Sequence, residues 1–309
     1  MANIILPIDL GYSAGKMLFN NKIYKYQSSI NYAGAVNLEY GDGTQVYEFE
    51  GEKYTVGQPS ETSFVTTNFE FITKFGPLMM YHATKLLGLD LKNNTIVFST
   101  GLAISDWPRR QEFVERIASV KEINGEAVDF KIGSIIPQGA GVYYDFLNDN
   151  PEVAEQNVFV IDGGYNTVNT MSFKKGVPDR NKAAAHIGAG VSTIIKEFTK
   201  YMELTYNLPF SEQEALEKFI EKRFVYKGIE QKQVTEKIDE LKKQFIQQLF
   251  KSILVSEQKL LNTSDVVIIG GGLAYFLNVP MPSNARFVKD PYEFSNVRGY
   301  NIVAASTIK

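Results

Sequence analysis

Asp9 and Asp162 each close an apolar run, and each is followed two residues on by a glycine and three on by a tyrosine. Residues 8–12 read IDLGY and residues 161–165 read IDGGY. A carboxylate at a strand end binds a hard cation directly or through the cation's waters. The glycine lets the backbone turn with positive φ and brings its amides close to an anion, which is how main-chain NH groups hold phosphate. Taken singly, such a turn is an ordinary β-turn with an Asx-type aspartate. Two copies, roughly half the chain apart, describe a clamp in which a polyphosphate and its Mg²⁺ sit between two lobes. The stretch GYSAGKM at residues 11–17 is not a Walker A loop: it has one residue too few between its glycines, and Met17 stands where that loop needs a serine or threonine.

The elements that position these turns follow from the apolar periodicity. Residues 3–8 read as a strand ending at Asp9, followed by a hairpin turning at Asn20 and Asn21. Residues 31–65 change to short, Gly-rich pieces with alternating aromatics, a small β insertion. Helical spacing in GPLMMYHATKLLGLD, the strand TIVFST, a helix opened by Ser105 or Asp106 with Pro108 in its first turn, and a strand around VDFKIGSII give βαβα alternation. Asn150-Pro151 and a polar stretch mark a lobe boundary, after which NVFVID, TVNTMSF, a turn near Gly176 and a helix from GAGVSTIIKEFTKYM repeat the plan. Helices over about 211–222 and 231–261 precede DVVIIGGG, a strand that stops at Gly270, Gly271 and Gly272.

With 309 residues the chain is too long for one ordinary core, so two lobes are expected. Apolar residues make up 44%, charged residues 22%, and the net charge is -3, which excludes a disordered chain and an electrostatic commitment to nucleic acid. There is no cysteine, and His82 and His186 are too few and too isolated for a zinc cluster. A reducing cytoplasmic setting is expected. The opening MANIILPIDLGY lacks a basic flank, and Pro7 and Asp9 interrupt its apolar run, so neither a signal peptide nor a membrane segment is expected there.

In this order and spacing the motifs resemble the actin, Hsp70 and sugar kinase superfamily, and within it the bacterial and archaeal actin-like proteins of the ParM type. The first phosphate motif matches Asp9, Gly11, Tyr12, Ser13 and Lys16; the second matches Asp162, Gly163, Gly164 and Thr167; the adenosine motif matches VIIGGGLAYF with Gly270, Gly271 and Gly272. The linking segment PQGAGVYYDF places Gln138 where actins keep a glutamine, and SNVRGY at residues 295–300 is similar to a C-terminal signature of actin-like segregation proteins. Gly163 departs from the larger apolar residue of many relatives.

The resemblance implies an α/β, actin-like (ribonuclease H-like, duplicated βββαβαβα) two-lobed fold with a nucleotide cleft between the lobes. Lobe I spans 1–155 with its insertion at about 31–65. Lobe II spans 156–309 with its insertion at about 205–262, and its last residues pack back on lobe I. It further implies ATP, with GTP as a second nucleotide, and Mg²⁺ held through water by Asp9 and Asp162. Gly188, Gly190 and, by element order, Glu221 are expected near the nucleotide. The resemblance implies a nucleotide-dependent, filament-forming ATPase acting in plasmid or DNA segregation or as a cytoskeletal element, whose partners would be itself, in a head-to-tail filament, and a DNA-binding adaptor protein.

Hydrolysis needs an attacking water in line with the γ-phosphate, and a glutamine amide holds one without a pKa near neutrality. Gln138, with Asp9 and Asp162, is therefore the expected catalytic set. A monomeric sugar kinase-like phosphotransferase is the alternative on the same fold. It requires a carboxylate base, and the first one after Gln138 is Asp145, about two helical turns on.

Overall fold

The computed structural model describes residues 2–33, 45–57, 64–65, 68–277 and 281–308. Its first sheet is built from β1 (Ala2–Leu10), β2 (Ala14–Phe19), β3 (Lys22–Gln27), β4 (Asn94–Leu102) and β5 (Phe130–Pro137), in the order β5-β4-β1-β2-β3. β1, β4 and β5 run parallel, while β1, β2 and β3 form an antiparallel meander. The second sheet contains β6 (Asn157–Gly163), β7 (Thr167–Lys174), β8 (Ala184–Ile187), β9 (Val266–Gly270) and β10 (Ala285–Phe287). Its order, β8-β7-β6-β9-β10, and its strand directions repeat the first. The central strands read as near-continuous apolar runs because both of their faces are covered: Leu6, Ile8, Val158, Phe159 and Val160 are fully buried.

Among the described residues seven α-helices pack around these sheets: α1 (Phe69–Leu86), α2 (Arg110–Ser119), α3 (Ala140–Asp149), α4 (Ser192–Tyr206), α5 (Glu212–Glu221), α6 (Lys232–Thr263) and α7 (Ser295–Thr307). Local chemistry sets several ends. The Asn68 side chain accepts from the Phe71 amide at the start of α1, and Ser211 and Glu214 form a reciprocal capping box on α5. The sequence expects a Ser105 or Asp106 cap. Asp106 instead precedes a 3-10 turn, Trp107–Arg109, without a side-chain bond to it, and α2 begins only at Arg110.

The small insertion near the start forms a four-stranded sheet of Ser29–Tyr32, Val46–Phe49, Glu52–Val56 and Phe64–Val65. Tyr47, Phe49 and Tyr54 join the core beneath α1. The rest of that insertion, residues 34–44 and 58–63, lies outside the described residues.

α3 and α7 tie the two sheets together. α3 buries Val142, Tyr143 and Phe146 against Val158, Val160, Phe173 and Ile268 of the second sheet. α7 packs on β1, β4 and β5 of the first sheet, where Ser99 Oγ donates to the Tyr300 carbonyl at 2.8 Å. The two helices cross with their backbones in contact, which requires glycine at the crossing: a Cβ on Gly299 would fall 2.0 Å from the Gly141 carbonyl oxygen. Arg298 grips Asp145 through two bonds of 2.8 and 2.7 Å beside that crossing. Among the described residues no helix is long and apolar enough to cross a membrane.

Candidate functional site

Both Asp-Gly turns open into the same space. In the first hairpin Asp9 pairs across the strands with Lys16, whose Nζ lies 3.0 Å from Asp9 Oδ2. Ser28 closes the turn, its hydroxyl donating to the Gly11 carbonyl at 2.7 Å and its amide to the Ser13 carbonyl at 3.1 Å. A side chain at Gly11 would reach within 2.9 Å of both the Ala14 carbonyl and Lys16 Nζ, so glycine is required by close approach.

In the second hairpin Asp162 pairs with Asn169, the position equivalent to Lys16. Asp162 is buried, and its Oδ2 accepts from Asn296 Nδ2 at 2.8 Å. Burial pushes its pKa up to about 6, and the Asp9 charge adds to this, while the Asn296 and Asn169 bonds and the Lys16 charge oppose it. The start of α4 sits against this turn, with the Ser192 amide donating to the Tyr165 carbonyl at 2.6 Å.

Gln138 follows β5 directly and reaches between the hairpins. Its Nε2 donates to Asp9 Oδ1 at 3.1 Å, and its Oε1 accepts a long bond of 3.5 Å from Asn169 Nδ2. The next residue, Gly139, takes φ +89° and donates its amide to Asn296 Oδ1 at 3.1 Å. The buried amide of Asn296 thus joins the second aspartate to the start of α3.

These groups line a cavity of about 50 Å³, which shares Ser13, Lys16, Gly164, Tyr165, Gly272 and Glu293 with a cleft of about 530 Å³. That larger volume is of the size that holds a small organic ligand. The Thr167 hydroxyl is buried beside the Tyr12 phenol and has no well-formed hydrogen-bond partner among the described residues. Burial, with the Asp106 charge, raises the Tyr12 pKa. No group of three or more carboxylates and histidines among the described residues encloses a cation. Two buried carboxylates beside an oxygen donor fit instead a hard ion that keeps much of its water and takes further oxygens from a bound phosphate, as Mg²⁺ does.

Of the residues expected from sequence, Asp9, Gly11, Tyr12, Ser13, Lys16, Gln138, Asp162, Gly164, Thr167, Gly271 and Gly272 line the small cavity. Gly163 and Gly270 lie beneath it, where a Cβ would meet Leu273 Cβ at 2.2 Å and Val142 Cγ1 at 2.7 Å; their smallness serves packing. Gly190 packs against the Tyr165 carbonyl, and Gly188 has φ +75° with open space around it. Glu221 is exposed at the end of α5, 3.0 Å from Lys218, and lines neither space. His186 lies apart, its Nε2 3.5 Å from Glu257 Oε1.

Sequence reasoning passed over Asn169, Tyr165, Glu293 and Asn296, which also line the cavity. Two of them carry a signal. Asn169 stands seven residues after Asp162, as Lys16 stands seven after Asp9, and Asn296 lies within SNVRGY.

Comparison with known proteins bears on the fold. Residues 7–141 match the family model described as the actin-like proteins N-terminal domain. No curated protein matches the chain in sequence. A non-polymerisable quadruple mutant of pCBH ParM is similar in structure, with a TM-score of 0.79 at 20% identity over 98% of this chain and 99% of that one. A 15-stranded ParM filament from Clostridium botulinum gives 0.78 at 19% identity over 99% and 100%. An archaeal actin homologue in complex with ADP gives 0.75 at 17% identity over 98% and 99%. Residues 7–141 are thus similar to the actin-like N-terminal domain, and the whole chain is built on the actin-like fold that these structures share.

Proposed function

We propose that this protein is an ATPase that assembles into filaments in a nucleotide-dependent way, using Mg²⁺, and that the filament moves or separates DNA through a DNA-bound adaptor. The observation that carries the reading is the placement of Gln138 between two Asp-Gly hairpins that face one cavity. ATP would lie in the larger cleft with its phosphates on the two turns, whose amides and Lys16 would take up the negative charge. Asp9 and Asp162 would hold Mg²⁺ through its waters, and the ion would neutralise charge on the phosphate oxygens. Gln138 keeps one amide end on Asp9, and its long bond to Asn169 is the weaker of its two contacts. An attacking water would replace that weaker contact, with Gln138 Oε1 accepting from it. Closure of the cleft by a neighbouring protomer would complete the arrangement, so assembly would precede hydrolysis and ADP protomers would leave.

A phosphotransferase would need a carboxylate base near the reacting phosphate, and Asp145 is locked by Arg298 outside the cavity. Light scattering and phosphate release, followed together after ATP addition, test the reading. Scattering should rise above a critical concentration and then decay. Gln138→Ala should still assemble but decay far more slowly, since losing a water-positioning group slows the chemical step. Brisk hydrolysis by a protein that stays monomeric in sedimentation at tens of micromolar, on the order of common weak affinities, would replace the filament with the phosphotransferase.

A further inference from the structure

The larger cleft has a polar end and an apolar end. At the polar end its charged side chains are paired: Lys16 with Asp9 at 3.0 Å, and Lys25 with Glu293 at 3.6 Å. The other end is walled by Leu216, Phe219 and Ile220 of α5 and by Phe276, and into it comes Lys242 of α6. Lys242 Nζ rests over the Phe219 and Phe276 rings, 5.5 and 5.2 Å from their centroids. Asp239, one turn earlier on α6, is taken by Lys222 at 2.8 Å. Among the described residues Lys242 has no carboxylate within ion-pair distance. A half-buried ammonium whose nearby acid, Asp239, is already paired with Lys222 is a costly group in an apolar wall, and contact with two ring faces offsets only part of that cost. Burial, with the Lys222 charge, lowers its pKa, and the Asp239 charge opposes this.

An ammonium carries three donors and no acceptor. The two purines differ at the edge such a group would meet. Guanine offers adjacent acceptors, O6 and N7, whereas adenine sets its N6 amino donor beside N7. A donor-only cation therefore pairs with the 6-oxo edge and opposes the 6-amino edge. We propose that Lys242 is a specificity-determining residue at the base end of the cleft, donating to the 6-oxo edge of a guanine or hypoxanthine triphosphate and thereby admitting GTP and ITP beside ATP. This rests on the nucleotide reading above. It adds a named side chain to the glycine motif, Gly270–Gly272, that the resemblance assigns to the adenosine.

Binding of ATP, GTP and ITP to the nucleotide-free protein at millimolar Mg²⁺ provides the test, by calorimetry on the wild type, Lys242→Met and Lys242→Arg. Methionine keeps the packing on the two rings without the charge, and arginine keeps a donor-only cation. The ratio of GTP to ATP affinity should fall about tenfold in Lys242→Met, equivalent to about 1.4 kcal/mol. ITP should follow GTP, since it shares O6 and lacks the 2-amino group, and Lys242→Arg should retain most of the wild-type ratio. If Lys242→Met weakens all three nucleotides by one factor, the ammonium meets the ribose or phosphates and the proposal fails while the nucleotide reading stands. If GTP falls and ITP does not, the contact is not to O6 and the proposal fails likewise. If the wild type binds none of the three, both readings fall together.

Discussion

The two hairpins of the cavity have the same length and register and opposite electrostatics. Asp9 faces Lys16 across its strands, and Asp162 faces Asn169 at the equivalent place. The first carboxylate therefore belongs to a nearly buried ion pair. The second is buried without a cation bonded to it and relies on the amides of Asn296 and Asn169. Duplicating a fold repeats the position of a group, whereas its charge state is set by whatever stands opposite. The first turn is built as a balanced pair; the second stores an unfavourable negative charge that an incoming cation would relieve.

Removing either carboxylate breaks the site that both hairpins build, and this is the largest effect expected. Asp9→Ala and Asp162→Ala should each cut Mg²⁺-dependent hydrolysis by about 100-fold or more, the scale on which removing one charge-stabilising group acts. Steady-state phosphate release on variants whose circular dichroism matches the wild type would check this. Wild-type rates in either would show that the two turns do not act on one ion.

Neutralising the same two groups should move stability in opposite directions. Asp9→Asn leaves Lys16 nearly buried without its partner and should destabilise the nucleotide-free protein by about 3 kcal/mol, as breaking a buried pair does. Asp162 runs the other way. A carboxyl raised from 3.8 to about 6 holds its proton more tightly when folded. The stability it contributes is complete below pH about 4 and is lost as pH rises through about 6. Asp162→Asn should therefore stabilise the protein at pH 7.5 by up to about 3 kcal/mol, from a shift of that size at about 1.4 kcal/mol per unit. The gain should shrink as pH falls toward 4. Urea titrations of both variants at pH 7.5 and pH 5 measure the contrast, and shifts of equal sign would make the hairpins electrostatically alike.

The outer ends of the two meanders give the smallest effect. Asn20 and Asn21 turn the first with φ of 49° and 60°, and Lys175 and Gly176 turn the second with φ of 47° and 78°. Both are two-residue turns with positive φ, for which asparagine followed by glycine is the favoured pair. Asn21→Gly should stabilise the first meander by about 0.5 kcal/mol, and Gly176→Ala should cost the second about 1 kcal/mol, on the scale of glycine's conformational advantage at positive φ. Thermal melts of both variants would show whether the two turns respond alike.

Much of the fold is legible from local pattern. The strand ending at Asp9, the Asn20-Asn21 turn, the long helix α6 and the strand ending at Gly270 follow from apolar periodicity and turn chemistry, which act over a few residues. The repeat of IDLGY as IDGGY was enough to pair the two turns. Local pattern could not separate a glycine that faces the ligand space from one beneath it. Gly271 and Gly272 line the cavity while Gly270 packs on Val142, and this depends on α3 lying over the second sheet.

What the sequence determined by itself is therefore the set of elements and the two aspartate turns, since short-range sterics and hydrophobic spacing are encoded residue by residue. Tertiary structure alone decided the charge balance of those turns and the make-up of the site between them. Because of strand register, Lys16 neutralises Asp9, whereas Asn169 offers Asp162 an amide and no charge. Asn296 reaches Asp162 from 134 positions away because α7 crosses α3 at Gly141 and Gly299. Lys242 reaches the cleft because tertiary packing brings α6 beside α5, where Asp239 pairs with Lys222 and Lys242 lies over Phe219. Burial and Coulomb interactions depend on separation in space, and sequence distance does not report it.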